Sequence, residues 1–312
     1  AFVGTIYRQQ SPFEARRIGA ALVSRNIADI VERRLADKPR EWRPLVYCWR
    51  GGNRSGALAT VLARIGWRTT ILDGGYREFR RRVIADLAAW PKELRLHVVA
   101  GRTGCGKSLI LAQLEALGAQ VLDLEALARH RGSVLGLLPQ TSQPTQKAFE
   151  SGIWEAIRGF DRTRPVFVES ESRRVGQCHL PEALILAMRA APGTCIEMKL
   201  EDRATLLLRE YRHFTEQPDE LFSRLDRLVP LHGRRVVSEW RRLAESGRWD
   251  EFVIALLQAH YDPAYDRSTT SNYAGIGQDQ TLEVHGADAA RLRAAARQLL
   301  EAVEPSANEA AH

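Results

Sequence analysis

The alternation of apolar and polar residues divides the first part of the chain into helices and short strands. Apolar residues recur at helical spacing among arginines over residues 13–37, and helices are also predicted at 55–65 and 77–89. A short apolar run at 44–47 predicts a buried strand, and residues 69–72 predict the next strand. The order strand, loop, helix, strand indicates an α/β unit with a parallel sheet.

A second series of alternating elements follows Pro91, where we place the domain boundary, so that the predicted domains are residues 1–90 and 91–312. In the second domain, strands are predicted at 94–100, 119–123, 165–169 and 194–200. Helices are predicted at 109–117, 146–158, 181–191, 202–216, 219–229, 233–247 and 288–303. This pattern predicts a doubly wound α/β fold with extra helices toward the C-terminus.

The composition is that of an ordinary globular protein and excludes several classes. The chain has 312 residues, of which 45% are hydrophobic and 27% charged, which rules out a disordered or collagen-like chain. No apolar run approaches the roughly 20 residues of a membrane helix, and the first residues lack the features of a signal peptide. Four widely spaced cysteines form no CxxC pair, so we expect a reducing, cytoplasmic location and no membrane partner.

The excess of positive charge lies in the first third of the chain. Residues 1–90 contain 17 Lys and Arg against 8 Asp and Glu, a balance of +9, whereas the remainder contains 28 against 30, a balance of −2. A basic region of this kind favours a polyanionic partner, of which nucleic acid is the commonest.

A glycine-rich loop at residues 101–108 carries the first candidate chemistry. Its sequence, Gly-Arg-Thr-Gly-Cys-Gly-Lys-Ser, fits the GxxxxGK[ST] pattern between a predicted strand and a predicted helix. In such loops backbone N–H groups and the helix N-terminus hold phosphate oxygens, the lysine reaches the outer phosphates and the hydroxyl binds Mg²⁺. The phosphate-binding residues are therefore predicted to be Gly101, Thr103, Gly104, Cys105, Gly106, Lys107 and Ser108, with Ser108 as the metal ligand.

Acidic residues that follow two predicted strands are candidates for the metal site or for acid–base chemistry. Glu169 ends an apolar strand, where the acidic metal partner of a phosphate loop commonly lies, and Glu171 is the neighbouring candidate. Asp123 and Glu125 follow the strand after the loop helix, a position that often faces the nucleotide or the acceptor. The alternative is that Glu169 or Glu171 only pairs with one of the arginines that follow.

A cysteine loop at residues 48–55, Cys-Trp-Arg-Gly-Gly-Asn-Arg-Ser, is the second candidate site. Cys48 ends a predicted strand, and Arg54 opens a predicted helix. Arg50, Arg54 and the helix dipole favour a thiolate nucleophile and an anion-binding loop, so Cys48, Arg50 and Arg54 are the predicted catalytic residues. The C-x5-R spacing permits sulfur or selenium transfer as well as phosphate ester hydrolysis, and the loop alone does not decide between them.

Taken together, the two loops resemble those of bacterial tRNA 2-selenouridine synthases, in which a rhodanese-like domain is fused to a P-loop domain. The matching stretches occur in the family's order and cover nearly the whole chain; they are residues 3–7, 47–55, 72–76, 101–108, 123–125, 130–133, 143–144, 169–176 and 261–265. The resemblance implies that the first domain is rhodanese-like but lacks its N-terminal half.

The resemblance also implies an activity. The family replaces sulfur by selenium in 2-thiouridine at the tRNA wobble position, with selenophosphate as donor and an S-geranyl intermediate made from geranyl diphosphate. Cys48 would then be the chalcogen-handling thiol, and Arg50 and Arg54 would hold the donor's phosphate. The phosphate loop would bind geranyl diphosphate or a nucleotide. We expect no tightly bound cofactor apart from Mg²⁺, and we expect tRNA and a selenophosphate-producing enzyme as partners.

Contacts to tRNA are expected from two sets of residues. The arginines predicted to contact phosphates are Arg77, Arg80, Arg81, Arg82, Arg203, Arg209 and Arg212, and the aromatic residues that could stack on the wobble base are Trp49, Tyr76 and Tyr273. Two other interpretations remain open. One is a cysteine-dependent phosphatase or sulfurtransferase fused to a P-loop kinase or NTPase, and the other is a non-catalytic tRNA-binding module.

Overall fold

The computed structural model describes residues 2–49, 52–132, 141–273, 276 and 280–304. The chain divides into two compact units, Ala1–Ile84 and Ala85–His312. The predicted boundary at Pro91 lies a few residues after this division, and the assignment of the first unit to the rhodanese type stays a prediction. No helix in the described part of the chain is long and apolar enough to cross a membrane.

The first unit is a small parallel sheet with helices. Its elements are α1 (Phe2–Gln9), α2 (Pro12–Arg34), β1 (Leu45–Val46), α3 (Asn53–Ile65), β2 (Thr70–Ile71) and α4 (Gly75–Ala89), the last of which contains the division between the units. Strands β1 and β2 pair in parallel, with Leu45 opposite Thr70. The predicted strand–helix–strand unit is thus confirmed, but the first strand is not buried as predicted, since Leu45 is 58% exposed. Helix α1 was not predicted.

Local sequence signals set the ends of the helices in the first unit. Helix α2 begins with Pro12 directly after Ser11, whose Oγ accepts a hydrogen bond from the Glu14 N–H at 3.4 Å, as in other serine N-caps. Helix α3 ends at Gly66, whose φ of 117° favours glycine. The core of the unit is small, and Leu62 is 1% exposed within it.

The second unit contains a longer series of elements. The strands are β3 (Arg95–Ala100), β4 (Gln120–Leu122), β5 (Pro165–Glu169), β6 (Arg174–Val175), β7 (Cys178–His179), β8 (Gly193–Glu197) and β9 (Thr281–Glu283). The helices are α5 (Lys107–Ala116), α6 (Leu124–Ala128), α7 (Gln146–Gly159), α8 (Glu182–Ala190), α9 (Leu200–Glu210), α10 (Arg212–Glu216), α11 (Pro218–Leu225), α12 (Val229–Glu245), α13 (Trp249–Leu256), α14 (Asp262–Asn272) and α15 (Ala289–Val303).

Five of these strands form a parallel sheet in the order β4-β5-β3-β8-β9. The first strand of the unit, β3, is central, and the chain adds β4 and β5 on one side before β8 and β9 on the other. In doubly wound sheets, ligands bind at the carboxyl ends of the strands where the direction of winding reverses. We therefore expect a ligand site at the loop that follows β3.

Apolar residues on the strands explain why this sheet is buried. Phe167 and Val99 belong to a core cluster that also contains Leu111 of α5 and Leu292 of α15. Neighbouring strand residues point to the opposite face of a sheet, while α8 contacts β3 and α7 contacts β4. The predicted α/β fold with a parallel sheet is confirmed.

The helical part of the second unit departs from the predicted elements. The predicted strand 194–200 ends at Glu197, and α9 already begins at Leu200. The predicted helix 202–216 is interrupted at Tyr211, between α9 and α10. Helices α13 and α14, the π-helix Leu257–Tyr261 between them, and strand β9 were not predicted.

Two leucines on α8 provide a test of the core. Leu184 is fully buried, whereas Leu186 on the same helix is 54% exposed. Leu184→Ala should lower the free energy of unfolding of the second unit by about 2–5 kcal/mol, because a buried leucine leaves a cavity. Leu186→Ala is the matched control and should change it by less than about 0.5 kcal/mol. Urea denaturation measures both, and equal effects would contradict the placement of α8.

Candidate functional site

The loop after β3 has the backbone of a phosphate-binding loop. Gly101, Gly104 and Gly106 have φ values of 147°, 81° and 83°, which favour glycine. A Cβ on Gly101 would lie 2.6 Å from the carbonyl oxygen of Ile196. Helix α5 begins at Lys107, directly after the last glycine. The structure thus places the predicted phosphate-binding residues in one loop at the carboxyl end of the central strand.

Residues far along the chain hold this loop in place. Arg203 is 3% exposed; its Nε donates to the Thr103 carbonyl at 2.9 Å, and its Nη1 donates to Asp262 Oδ2 at 3.0 Å. The Tyr265 hydroxyl accepts a hydrogen bond from the Gly101 N–H at 2.7 Å. Arg203 was predicted to contact tRNA, which is wrong, because a buried arginine paired with a carboxylate positions the loop instead.

Lys107 lies within the loop and interacts with its backbone and its acidic surroundings. Its Nζ donates to the Gly101 carbonyl at 2.6 Å. Burial acts to lower the pKa of Lys107, but the anionic forms of Cys105 and Tyr265 and the nearby carboxylates, Glu125 among them, leave the pKa raised. The lysine is therefore a lasting positive charge beside the phosphate site.

Three glutamates form a carboxylate cluster beside the loop. Oxygens of Glu125, Glu169 and Glu171 lie within 4.8 Å of one another. Ser108 Oγ donates to Glu125 Oε2 at 3.0 Å, and the Glu125 N–H donates to Glu169 Oε1 at 2.8 Å. The second oxygen of Glu169, Oε2, is buried and has no hydrogen-bond partner among the described residues. Glu169, Glu171 and Ser108 are thus brought together as predicted sites of metal binding.

Glu125 completes this cluster, whereas Asp123 does not belong to it. Asp123 Oδ1 accepts a hydrogen bond from the Ala126 N–H at 2.7 Å and caps α6, and burial raises the pKa of Asp123. The sequence predicts only that Glu125 faces the nucleotide or the acceptor, and the structure places it in the carboxylate cluster. Asp123 caps the helical turn that follows it, and this turn brings Glu125 instead of Asp123 to the carboxylate cluster.

The cluster has the properties of a cation site. Burial, followed by repulsion from the neighbouring carboxylates, raises the pKa of Glu169 well above its usual value and that of Glu171 to about 8. Burial also raises the pKa of Glu125. A bound cation would offset this repulsion and satisfy Glu169 Oε2. Carboxylate and hydroxyl oxygens are the ligands that Mg²⁺ prefers, so the residues present fit this ion.

In the first unit, Cys48 lies in an open cavity of about 280 Å³. Its Sγ is 3.4 Å from Ser55 Oγ, which is also 2.9 Å from the Gly52 carbonyl oxygen. Gly75 packs so closely that a Cβ there would lie 2.7 Å from the Cys48 carbonyl oxygen. Arg54 lines the same cavity and is exposed near the start of α3. Arg50, the other predicted arginine, lies outside the described residues.

Of the aromatic residues predicted to stack on a base, two stack on each other. The Trp49 and Tyr76 rings are 4.2 Å apart with an interplanar angle of 12°, and Trp49 is 57% exposed. Tyr273 is 5% exposed, and its hydroxyl donates to the Glu171 carbonyl at 2.8 Å. The interpretation of Tyr273 as a stacking residue is therefore wrong.

The exposed arginines predicted to contact tRNA have nearby protein partners in several cases. Arg81 pairs with Glu78 at 2.6 Å, and Arg212 pairs with Glu216 at 2.8 Å. Arg209 donates to the Ala287 carbonyl at 3.0 Å. Exposed pairs of this kind are weak, so these arginines can exchange their partners for phosphates, and their role stays a prediction.

Comparison with known proteins places this chain in a family. Residues 94–226 match the family model of the tRNA 2-selenouridine synthase AAA domain. The chain is 33% identical to the tRNA 2-selenouridine synthase of Alcanivorax borkumensis, an alignment that covers 85% of this chain and 80% of the relative. The chain belongs to the tRNA 2-selenouridine synthase family. The corresponding enzyme of Marinobacter nauticus is 29% identical over 88% of this chain and 81% of its own length.

Family membership confirms the resemblance stated from the two loops. A third relative, the tRNA 2-selenouridine synthase of a Sulfurovum species, is 28% identical over 90% of this chain and 84% of its own length. These alignments extend beyond the phosphate-loop domain into the part of the chain that carries Cys48. The roles of the individual site residues stay predictions.

The raised pKa of Glu171 predicts that stability depends on pH. Its pKa is about 8 in the folded protein against 4.5 as the ordinary value, so between these values the folded state keeps a proton that the unfolded chain has lost. Stability therefore falls as the pH rises through this window. Without divalent cations, the melting temperature of the second unit should fall by at least about 2–4 °C from pH 6 to pH 9, the shift produced by 1 kcal/mol.

Glu171→Gln should flatten this pH dependence, because it removes the titrating group, and added Mg²⁺ should flatten it in the unaltered protein. Glu115→Gln, on the exposed side of α5, is the matched control and should leave it unchanged. Thermal unfolding followed by circular dichroism measures the effect. A stability that rises over the same pH range would contradict the buried carboxylate cluster.

Proposed function

We propose that this chain replaces sulfur by selenium in 2-thiouridine at the wobble position of tRNA. The observation that carries the proposal is the occurrence, in one member of this family, of a cavity containing a cysteine thiol and of a phosphate loop with a carboxylate cluster beside it. The first provides a nucleophile, and the second can hold a diphosphate leaving group. A chain with both sites can alkylate the sulfur of the base in one step and replace that sulfur by selenium in another.

In the first step, we propose that geranyl diphosphate binds to the loop at residues 101–108. The sulfur of 2-thiouridine attacks C1 of the geranyl group, the C–O bond to diphosphate breaks, and N3 of the base loses its proton. Lys107 stabilises the charge that develops on the leaving diphosphate. A Mg²⁺ ion held by Ser108, Glu125, Glu169 and Glu171 would neutralise part of the same charge. The alkylated sulfur is then a better leaving group than a thiocarbonyl sulfur.

In the second step, selenophosphate supplies selenium and Cys48 is the nucleophile. Attack of the Cys48 thiolate on selenium would leave phosphorus as phosphite, two electrons more reduced than phosphate. Attack on phosphorus breaks the P–Se bond, forms phosphocysteine and releases hydrogen selenide without any oxidant or reductant, and water then restores the thiol and yields phosphate. Hydrogen selenide attacks C2 of the base, and geranylthiol leaves. The positive charge of Arg54 suits the phosphate group of the donor.

The partners follow from these steps. The substrate is a tRNA with 2-thiouridine, and its phosphates would contact the exposed arginines of α4 such as Arg77. The donor requires an enzyme that makes selenophosphate. The wide spacing of the cysteines favours a reducing compartment, so we place the reaction in the cytoplasm. Release of phosphate from simple aryl phosphates at a comparable rate would instead favour a phosphatase.

Cys48→Ser should keep geranylation and lose selenation by at least about 100-fold, because a hydroxyl at this position is a far poorer nucleophile than a thiolate. For the measurement, thiolated tRNA is incubated with geranyl diphosphate and then with selenophosphate, and the nucleosides are identified by mass spectrometry. Cys178→Ser, at a buried thiol of the second unit, is the control. Loss of both steps in a folded Cys48→Ser protein would contradict the assignment of geranylation and selenation to separate sites. In the unaltered protein, mass spectrometry of the intact chain should detect phosphocysteine when selenophosphate is added before RNA.

Lys107→Ala should lose geranylation by at least about 100-fold, because it removes the charge that stabilises the leaving diphosphate. Lys147→Ala, at an exposed position on α7, is the matched control and should keep full activity. The same nucleoside assay measures both variants, and tRNA geranylated in advance should still be selenated by Lys107→Ala. Geranylation at an unchanged rate would show that the diphosphate does not bind to this loop.

A further inference from the structure

An apolar cavity of about 60 Å³ lies inside the helical part of the second unit. Its walls are mainly leucine and aromatic side chains of helices α9, α10, α11 and α13 and of the π-helix, with Leu208, Phe252 and Leu256 among them. Most of these side chains belong to one apolar cluster. The cavity is partly open, so it is accessible to a chain-like group.

The cavity is continuous with the phosphate loop. Thr103 of the loop is one of its lining residues. Leu207 also lines it and packs against the loop, since a Cβ on Gly104 would lie 2.9 Å from Leu207 Cδ1. A ligand that binds its phosphate groups to the loop would therefore have an apolar site beside its head group.

One segment forms both the cavity wall and the support of the loop. Tyr261, at the end of the π-helix Leu257–Tyr261, lines the cavity. The next residue, Asp262, pairs with the arginine that holds the Thr103 carbonyl, and Tyr265 accepts the Gly101 N–H. Because π-helical turns frequently occur at functional sites, this arrangement favours a ligand site over an incidental gap in the core.

We propose that this cavity binds the hydrocarbon chain of a prenyl diphosphate whose diphosphate lies on the phosphate loop, and that it selects for a short chain. The proposal rests on the proposed function for the identity of the head group. A polar nucleoside does not suit these walls, because its hydrogen-bonding groups would be buried without partners. A hydrocarbon chain gains free energy from the same burial.

The size of the cavity limits the length of the chain. A site for one water molecule needs about 10–15 Å³ of such volume, so 60 Å³ corresponds to a few methylene-sized groups. The cavity would hold the end of a geranyl chain, and the carbons next to the diphosphate would lie between the cavity and the loop. Chains one isoprene unit longer would require a lining side chain to move or to be removed.

Calorimetry on the full chain with Mg²⁺ tests the cavity without depending on turnover. Geranyl diphosphate should bind at least about 10-fold more tightly than inorganic diphosphate, since burial of each methylene contributes about 0.8 kcal/mol. Leu208→Trp, which fills the cavity from the half-buried side of α9, should reduce this ratio to near one. Its affinity for inorganic diphosphate should stay within about twofold, which also shows that the loop remains folded.

Leu256→Ala enlarges the cavity and should raise the affinity for farnesyl diphosphate relative to geranyl diphosphate by at least about fivefold. Leu228→Ala is the matched control, because Leu228 is buried in the same helical core but does not line the cavity. An unchanged ratio in Leu208→Trp, or an equal shift in Leu256→Ala and Leu228→Ala, would overturn the proposal. So would a wild-type protein that binds inorganic diphosphate as tightly as geranyl diphosphate.

The test separates this proposal from the proposed function. If binding depends on the cavity as expected but thiolated tRNA is not modified, the proposed function fails and the prenyl site stands. If tRNA is modified but the chain-length preference is the same in Leu208→Trp, Leu256→Ala and the wild type, the cavity proposal fails and the proposed function stands.

Discussion

The mutual repulsion of three carboxylates, of which Glu169 is buried and the other two half-buried, is the constraint on which the phosphate site depends. Glu125, Glu169 and Glu171 reach the same place because two parallel strands and a helical turn end at one edge of the sheet. Such a cluster is unfavourable unless protons, a lysine or a metal ion offset the charge. Lys107 lies close enough to lower the pKa of Glu125 and Glu171 against the effect of burial. The fold thus places carboxylates that need a neighbouring positive charge at the site where a phosphate group would add further negative charge.

Sequence patterns predicted those parts of the molecule whose determinants are local. The run Pro165–Glu169 is buried throughout, so its apolar residues alone identified a strand and placed Glu169 at its end. The phosphate loop was identified from its GxxxxGK[ST] pattern, and the φ values of its glycines in the structure favour glycine. The two-stranded sheet beside Cys48 followed from short apolar runs at the expected separation.

The features that sequence patterns missed depend on contacts between distant residues. Arg203 contacts a residue 100 positions earlier in the chain, and Tyr265 contacts one 164 positions earlier. An arginine on an amphipathic helix has the same sequence pattern whether it faces solvent or an aspartate from a distant helix, so its role could not be predicted locally. Asp123 and Glu125 differ by two positions, and only the cap of α6 decides which carboxylate turns toward the metal site. The segment 261–265 was noted through the family resemblance, but nothing in its sequence showed that it supports a loop.

Asp262 and Tyr265 support the phosphate loop but lie outside the part of the chain by which its domain is recognised. The family model of the AAA domain ends at residue 226, before either side chain, and before β9, which completes the sheet next to β8. A fragment cut at that position would keep every residue of the phosphate motif and yet lack the tethers that fix its shape. The shortest fragment that can hold the phosphate loop in this shape must therefore extend past Tyr265, far beyond the motif itself.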